Sequence, residues 1–279
     1  MADFVSTFHL SSYPELSPER SELSVAGKSV IVTGGGYGIG QSIADAFAAA
    51  GAARIAISGR NEGKLISTAA ELEAKYPKTE VNYYAADITD AAAVTSMFES
   101  FGPPDIVVNN AGFLVSPENL KTVDLTAWWE GFEINVLGTA TVIQTFLRTK
   151  NPENEAVVVT LNTMGAHWGR VPGLSSYAAG KAASLRMIEL FQVEHPEVRF
   201  VSVHPGVIKT AMAEKSGLKG MPFADADLAA NFILWTTSPE ADFLAGRFAW
   251  ANWDVNELKA KKREILDKNL LQYTIAGFV

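Results

Sequence analysis

The 279-residue chain contains no cysteine, so disulfides, zinc–thiolate centres and thiol nucleophiles are excluded by arithmetic. Clustered positive charge is missing as well: 23 Lys and Arg stand against 31 Asp and Glu, for a formal charge of -8. Nucleic acid is therefore not an expected partner, because phosphate binding needs grouped cations. No apolar run approaches the roughly 20 residues of a membrane span, and the opening MADFVSTFHL lacks a basic region followed by a sustained apolar core. A soluble, cytoplasmic protein that neither enters a membrane nor is secreted is expected. Internal repeats, low-complexity tracts and linker-like stretches are absent too. What is there is 48% hydrophobic and 19% charged, the profile of a globular chain long enough for one large α/β domain with a well-buried core.

From about Lys28 onward, short apolar runs alternate with amphipathic stretches, the pattern of a parallel sheet covered by helices on both faces. Strands are predicted at Ser29 to Thr33, Ala53 to Ser58, Val81 to Ala85, Asp105 to Asn109, Ala156 to Leu161 and Arg199 to His204, with a weaker seventh at Gly246 to Ala251. Helices are predicted near 38–50, 61–75, 90–100, 124–149, 175–194 and 225–238, several opened by Asp, Ser or Thr as N-caps. Right-handed crossovers then give a single-domain, Rossmann-like, doubly wound parallel sheet of about seven strands. Its expected limits are residues 27–253. Residues 1–26, with Pro14 and Pro18, read as an irregular surface extension. Residues 254–279 read as a charged, helix-prone tail closing on Ile275-Ala276-Gly277-Phe278-Val279, apolar enough to dock on something.

The first strand runs directly into Gly34-Gly35-Gly36-Tyr37-Gly38-Ile39-Gly40 and then into a helical pattern. Glycines let the backbone approach a pyrophosphate, and the free N–H groups that open the helix attract the anion. The spacing is G-x-x-x-G-x-G, not the G-x-G-x-x-G of longer-chain dehydrogenases. About twenty residues on, where the second strand meets an adenosine ribose, the chain reads Ile57-Ser58-Gly59-Arg60. An acid there binds ribose hydroxyls and repels a 2′-phosphate; this position has none, and Arg60 can pair with phosphate. NADP is favoured over NAD, which stays possible.

Further motifs, in order and suitably spaced, resemble the classical short-chain dehydrogenase/reductase family over roughly residues 25–255. They are Ala86-Asp87-Ile88 after the third strand, Asn109-Asn110-Ala111-Gly112 closing the fourth, Glu133-Ile134-Asn135-Val136 inside a long helix, Tyr177-Ala178-Ala179-Gly180-Lys181, and His204-Pro205-Gly206-Val207-Ile208-Lys209-Thr210. The spacing of Tyr177 and Lys181 puts both on one helix face. The resemblance implies a dinucleotide held by Gly34, Gly36, Tyr37, Gly38, Ile39, Gly40, Arg60, Asp87, Ile88, Asn109, Ala111, Gly112, Tyr177, Lys181, Pro205, Gly206, Ile208 and Thr210. It implies catalysis by Asn135, a serine-like hydroxyl, Tyr177 and Lys181, with Asn135 binding a water that links the lysine to solvent. The family usually has Ser where Gly180 stands, a departure expected to loosen local hydrogen bonding. It also places its catalytic Ser thirteen residues before the Tyr, which here is Met164. Alignment of Asn162-Thr163-Met164-Gly165-Ala166-His167 with family segments of the form Ser-Ser-Gly-Ala-Ala-His selects Thr163, provided the following loop is one residue longer. Otherwise the hydroxyl is absent and Asn162 offers a substitute amide.

The implied chemistry moves hydride between the nicotinamide and a ketone or secondary alcohol, with Tyr177 as general acid/base and Lys181 lowering its pKa. Met164, His167, Trp168, Leu174, Met212 and Phe223 fall on the expected substrate side, which suggests a mainly apolar organic substrate. Residues 211–224 are expected to form a flexible lid. By the same resemblance, helices 124–149 and 175–194 assemble a homodimer or homotetramer. Two other readings remain at this stage: a non-redox enzyme of the same fold (isomerase, dehydratase or cyclase), and a catalytically silent dinucleotide-binding regulator.

Overall fold

In the computed structural model, which describes residues 4–168, 171–217 and 220–275, seven parallel strands lie in the order β3-β2-β1-β4-β5-β6-β7. They are β1 (Ser29–Thr33), β2 (Arg54–Gly59), β3 (Glu80–Ala85), β4 (Ile106–Asn109), β5 (Ala156–Leu161), β6 (Val198–His204) and β7 (Arg247–Trp250). The weak seventh strand forms because its four residues are all buried against β6. Strand order reverses between β1 and β4, and in such sheets ligands bind outside the strands' C-terminal ends at that reversal.

Side-chain alternation along the strands builds two cores. Val30, Val32, Ile55, Ile57, Val157 and Val159 face one side, against Ile43 and Phe47 of α1 (Gly38–Ala49) and Leu65 and Leu72 of α2 (Glu62–Lys75). Ile31, Ala56, Val107 and Val158 face the other, against Phe98 of α3 (Ala91–Phe101) and Phe146 beyond β4. A residue period of two on a sheet covered on both faces requires this division.

The helix predicted over 124–149 is α4 (Leu125–Phe132), a π-helical turn (Glu133–Gly138) and α5 (Thr139–Thr149), continuous with one another. After β5 come α6 (Ser175–Glu194), the short α7 (Ala211–Ser216) inside the expected lid, α8 (Ala226–Thr237), and α9 (Val255–Ala260) with α10 (Lys262–Asp267) in the tail. The described parts of the N-terminal extension and of the C-terminal tail enter the core rather than lying on it: Leu16, Leu23, Leu258 and Ile265 are fully buried. Leu218 and Lys219 of the expected lid, and Ala276 to Val279 of the apolar terminus, lie outside the described residues. No described helix is long and apolar enough to cross a membrane.

Candidate active site

The glycine turn between β1 and α1 is folded more tightly than any side chain allows. A Cβ on Gly40 would lie 2.1 Å from Gly34 O and 2.6 Å from Asn110 Nδ2. Gly34 and Gly38 hold φ of 66° and 60°, the left-handed region that only glycine enters freely. Helix α1 begins behind Tyr37 with no side-chain cap, so its first N–H groups are open to an anion. Asn110 ties the turn to the sheet: its Nδ2 donates to Thr33 O (2.8 Å) and Gly34 O (3.0 Å), while the Asn110 and Ala111 N–H groups donate to Thr33 Oγ1 at 3.1 Å.

Around this turn the other expected cofactor positions converge. Arg60 follows β2 with a 64% exposed side chain, its Nη1 3.9 Å from Asp87 Oδ2. Against the upward push of burial, the Thr89 N–H and hydroxyl and the Arg60 guanidinium hold the Asp87 carboxyl below its ordinary range. Ile88 packs where a Cβ on Gly138 would meet it at 2.7 Å. Thr210 caps α7 through Ala213 N–H (3.2 Å) and reaches the glycine turn, its Cγ2 4.0 Å from where a Gly38 Cβ would be. Both amide atoms of Asn109 are buried without a partner among the described residues. The glycine cradle, the uncapped helix start and that free amide fit a dinucleotide.

The catalytic candidates meet beside it. Asn135 is completely buried in the π turn, where its Nδ2 donates to Phe113 O (2.7 Å) and Gly131 O (2.8 Å) and its Oδ1 accepts from Phe113 N–H (3.1 Å). That pull on the preceding turn widens the helix, the usual setting of an Asn that competes with backbone bonds. Both amide hydrogens are thus engaged by backbone carbonyls. A Cβ on Gly112 would sit 3.2 Å from Asn135 Oδ1 and 3.4 Å from Lys181 Nζ, so both side chains lie beside the Asn-Asn-Ala-Gly turn. Lys181 is 5% exposed, and its Nζ donates to Leu161 O at 2.8 Å. Burial pulls its pKa down to about 8.

Thr163, not Met164, presents the hydroxyl. Its Oγ1 accepts from Gly165 N–H at 3.2 Å and is hydrogen-bonded to the Tyr177 phenol, whereas Met164 is buried in the core. The Gly165 contact starts a 3-10 turn over Met164–Ala166, the local shape that carries Met164 away from the cleft. The expectation that Lys181 lowers the Tyr177 pKa is corrected: burial raises it to about 12, and the Thr163 hydrogen bond opposes that rise. The Lys181 ammonium points instead to the Leu161 carbonyl. At Gly180 a Cβ would meet Gly131 O at 3.5 Å and Asn135 Cβ at 3.8 Å, ordinary contact distances, so packing leaves room for a side chain to begin there.

Of the expected substrate-side residues, Trp168, Met212 and Phe223 are exposed and Leu174 is buried. His167 stands edge-on to Phe248 (5.0 Å), and burial lowers its pKa. His204 lies beneath, pulled down to about 3 by burial and by the nearby His167, so it is neutral. Gly206, at φ 89°, leaves 2.9 Å between a would-be Cβ and Asn252 Oδ1. Asn110 and Asn252 hold two of the loops in place. The first was legible only as part of a motif, and the second, a single Asn after an edge strand, carried no sequence signal.

A profile of the family described as short chain dehydrogenase matches residues 28–219. The chain is 36% identical over 264 residues to a short chain dehydrogenase/reductase of Claviceps purpurea, covering 93% of this chain and 89% of that protein. It is 33% identical over 262 residues to the short chain dehydrogenase/reductase AacuD of Aspergillus aculeatus, covering 93% and 91%. Among solved structures, a short chain dehydrogenase from Burkholderia cenocepacia in complex with NADP superposes with a TM-score of 0.73 at 27% identity, over 83% of this chain and 99% of that one. With the matched segment spanning both the glycine turn and the Tyr177–Lys181 helix, the chain belongs to the short-chain dehydrogenase/reductase family of oxidoreductases.

Proposed function

We propose that the protein is a cytoplasmic reductase or dehydrogenase that uses NADP(H) to interconvert a ketone and a secondary alcohol on a mainly apolar organic substrate, with Tyr177 as general acid/base. The observation that carries this is the Tyr177 phenol hydrogen-bonded to Thr163, one helical turn from the buried Lys181 ammonium. A bound nicotinamide supplies or accepts the hydride. At neutral pH Tyr177 is a protonated phenol, since burial holds its pKa near 12. It is therefore set to give its proton to a carbonyl oxygen as the carbon is reduced. With the Gly165 N–H on one Thr163 lone pair, the Thr163 hydroxyl turns its hydrogen from the phenol to the same oxygen as charge develops there. Lys181, largely protonated at neutral pH and one helical turn from Tyr177, returns a proton to the phenolate by way of water. Alcohol oxidation runs these transfers backwards.

Arg60 supports NADP as the cofactor: its guanidinium is exposed, and no acid ends β2. Leu125, Trp129, Leu137 and Val193, exposed on α4 to α6, favour assembly of two or four copies through those helices. The test is titration with NADPH and NADH, followed by a panel of bulky ketones with wild type, Tyr177→Phe and Thr163→Val. NADPH-dependent turnover that falls at least a hundredfold in both variants is expected. Tight cofactor binding with no Tyr177-dependent turnover of any carbonyl or alcohol would overturn the reading.

A further inference from the structure

Residues 4–13 precede the segment shared with the family profile, which starts at residue 28, yet they cross the end of the sheet where the site lies. The His9 N–H donates to Asn252 O at 2.8 Å, and Asn252 Nδ2 donates back to His9 O at 2.8 Å. Asn252 in turn is the residue against which Gly206 packs. One position further along, Leu10 O accepts from Asp225 N–H at 2.7 Å, just where the lid returns to the body. There Ala224 N–H donates to Val207 O at 2.8 Å and Ala224 pairs with Ile208, so both ends of the lid are joined at the point the extension grips. Phe8 pairs with Trp253 and closes a small cavity of about 10 Å3 together with Val207, Met221, Pro222 and Trp250.

The far side of the segment is fastened independently of the site. The Ser6 and Thr7 N–H groups are both held by the Glu257 carboxylate (2.6 and 2.9 Å), His9 Nε2 lies 3.0 Å from Asp254 Oδ2, and the His9 ring stacks on Tyr13 at 3.8 Å. A segment fixed by α9 on one side and bonded to Asn252 and Asp225 on the other holds those two residues in place.

We infer that residues 6–10 are a fixed strap that sets the Pro205-Gly206 turn and the returning arm of the lid, residues 220–225. Asn252 and Phe8 are its positioning residues. The inference rests on the reading of this site as a nicotinamide-dependent carbonyl site. Asn252 acts on the turn that supports the nicotinamide, and Phe8 acts on Met221 and Pro222 in the lid that encloses substrate. The two side chains therefore affect different steps.

Two measurements test it. Amide hydrogen exchange on the cofactor-free protein lacking residues 1–10 should accelerate at least tenfold over 206–210 and 220–225 and stay unchanged in α1. Steady-state kinetics on the full chain should divide the strap's roles. Phe8→Ala raises substrate KM about tenfold with kcat within threefold, whereas Asn252→Ala lowers kcat about tenfold with KM within twofold. Loss of stability alone produces no such opposite split. Unchanged exchange over 220–225, or parallel effects of the two variants, overturns the strap. If wild type turns over no carbonyl or alcohol, the functional reading fails, and the exchange experiment still decides the strap.

Discussion

Replacing Lys181 by Met separates what this residue contributes to chemistry from what it costs the fold. Its ammonium is buried, makes one hydrogen bond to Leu161 O, and forms no ion pair among the described residues. Burial lowers its pKa from 10.5 to about 8. At about 1.4 kcal/mol per unit, keeping it charged costs the folded state about 3 kcal/mol at neutral pH. The sign follows from proton counting. Below about pH 8 folded and unfolded chains are both charged, so the cost is full. Between about pH 8 and 10.5 the folded lysine is already neutral while the unfolded one is not, and the cost is released as pH rises. Methionine removes that cost but leaves the Leu161 carbonyl without this donor, a loss of about 1–3 kcal/mol that does not depend on pH. Whatever its starting sign, the stability of Lys181→Met relative to wild type should therefore fall by about 2 kcal/mol between about pH 7 and pH 9.5. Urea unfolding of both proteins across that range measures it. A difference that stays flat with pH would refute the burial argument, and a variant with wild-type turnover would refute the role in proton transfer.

Gly40→Ala drives a Cβ into Gly34 O; the turn must open, so we expect about 2 kcal/mol lower stability and at least a hundredfold weaker NADPH binding by fluorescence titration. Arg60→Ala should weaken NADPH by about tenfold and leave NADH within twofold, since an exposed guanidinium paired to phosphate is worth about 1–2 kcal/mol. The two dissociation constants decide it. Glu240 is held down to about 2 by Arg20, Lys259 and the Trp235 N–H against the push of burial. Its stabilisation is present above about pH 4.5 and lost as pH falls toward 2. Glu240→Gln should thus cost about 2–3 kcal/mol at neutral pH and roughly half that near pH 3, read by thermal unfolding at the two pH values.

Local signals reached far into this protein. The βα alternation, the glycine turn and the Tyr177–Lys181 spacing are contained in contiguous stretches, where a period of two, a positive φ or a helical i, i+4 offset is a property of the chain itself. The strands were legible to within a residue or two for the same reason, down to the four residues of β7. The π turn was not, because it depends on Asn135 finding the Phe113 backbone, 22 residues away. Nor could the spacing from Tyr177 decide between Thr163 and Met164: the hydroxyl faces the phenol only because a 3-10 turn follows β5.

The ends of the chain show the same division most clearly. Composition and turn residues marked residues 1–26 as irregular; their described part carries two short 3-10 turns, Pro14–Leu16 and Ser21–Leu23. That the segment buries Leu16 and Leu23, and bonds to Asn252 and Asp225 beside the site, depends on partners more than 200 residues distant in sequence. The Tyr177 pKa belongs with it. Residue type and spacing put an ammonium one turn away, but only the folded interior decided that desolvation outweighs that proximity and raises the phenol to about 12. Sequence by itself determined the architecture and the chemical groups at the site, because those follow from local periodicity and side-chain identity. Tertiary structure decided which groups touch, which are dry and which end of the chain holds the cleft in shape, because burial and long-range contact exist only once the sheet has closed.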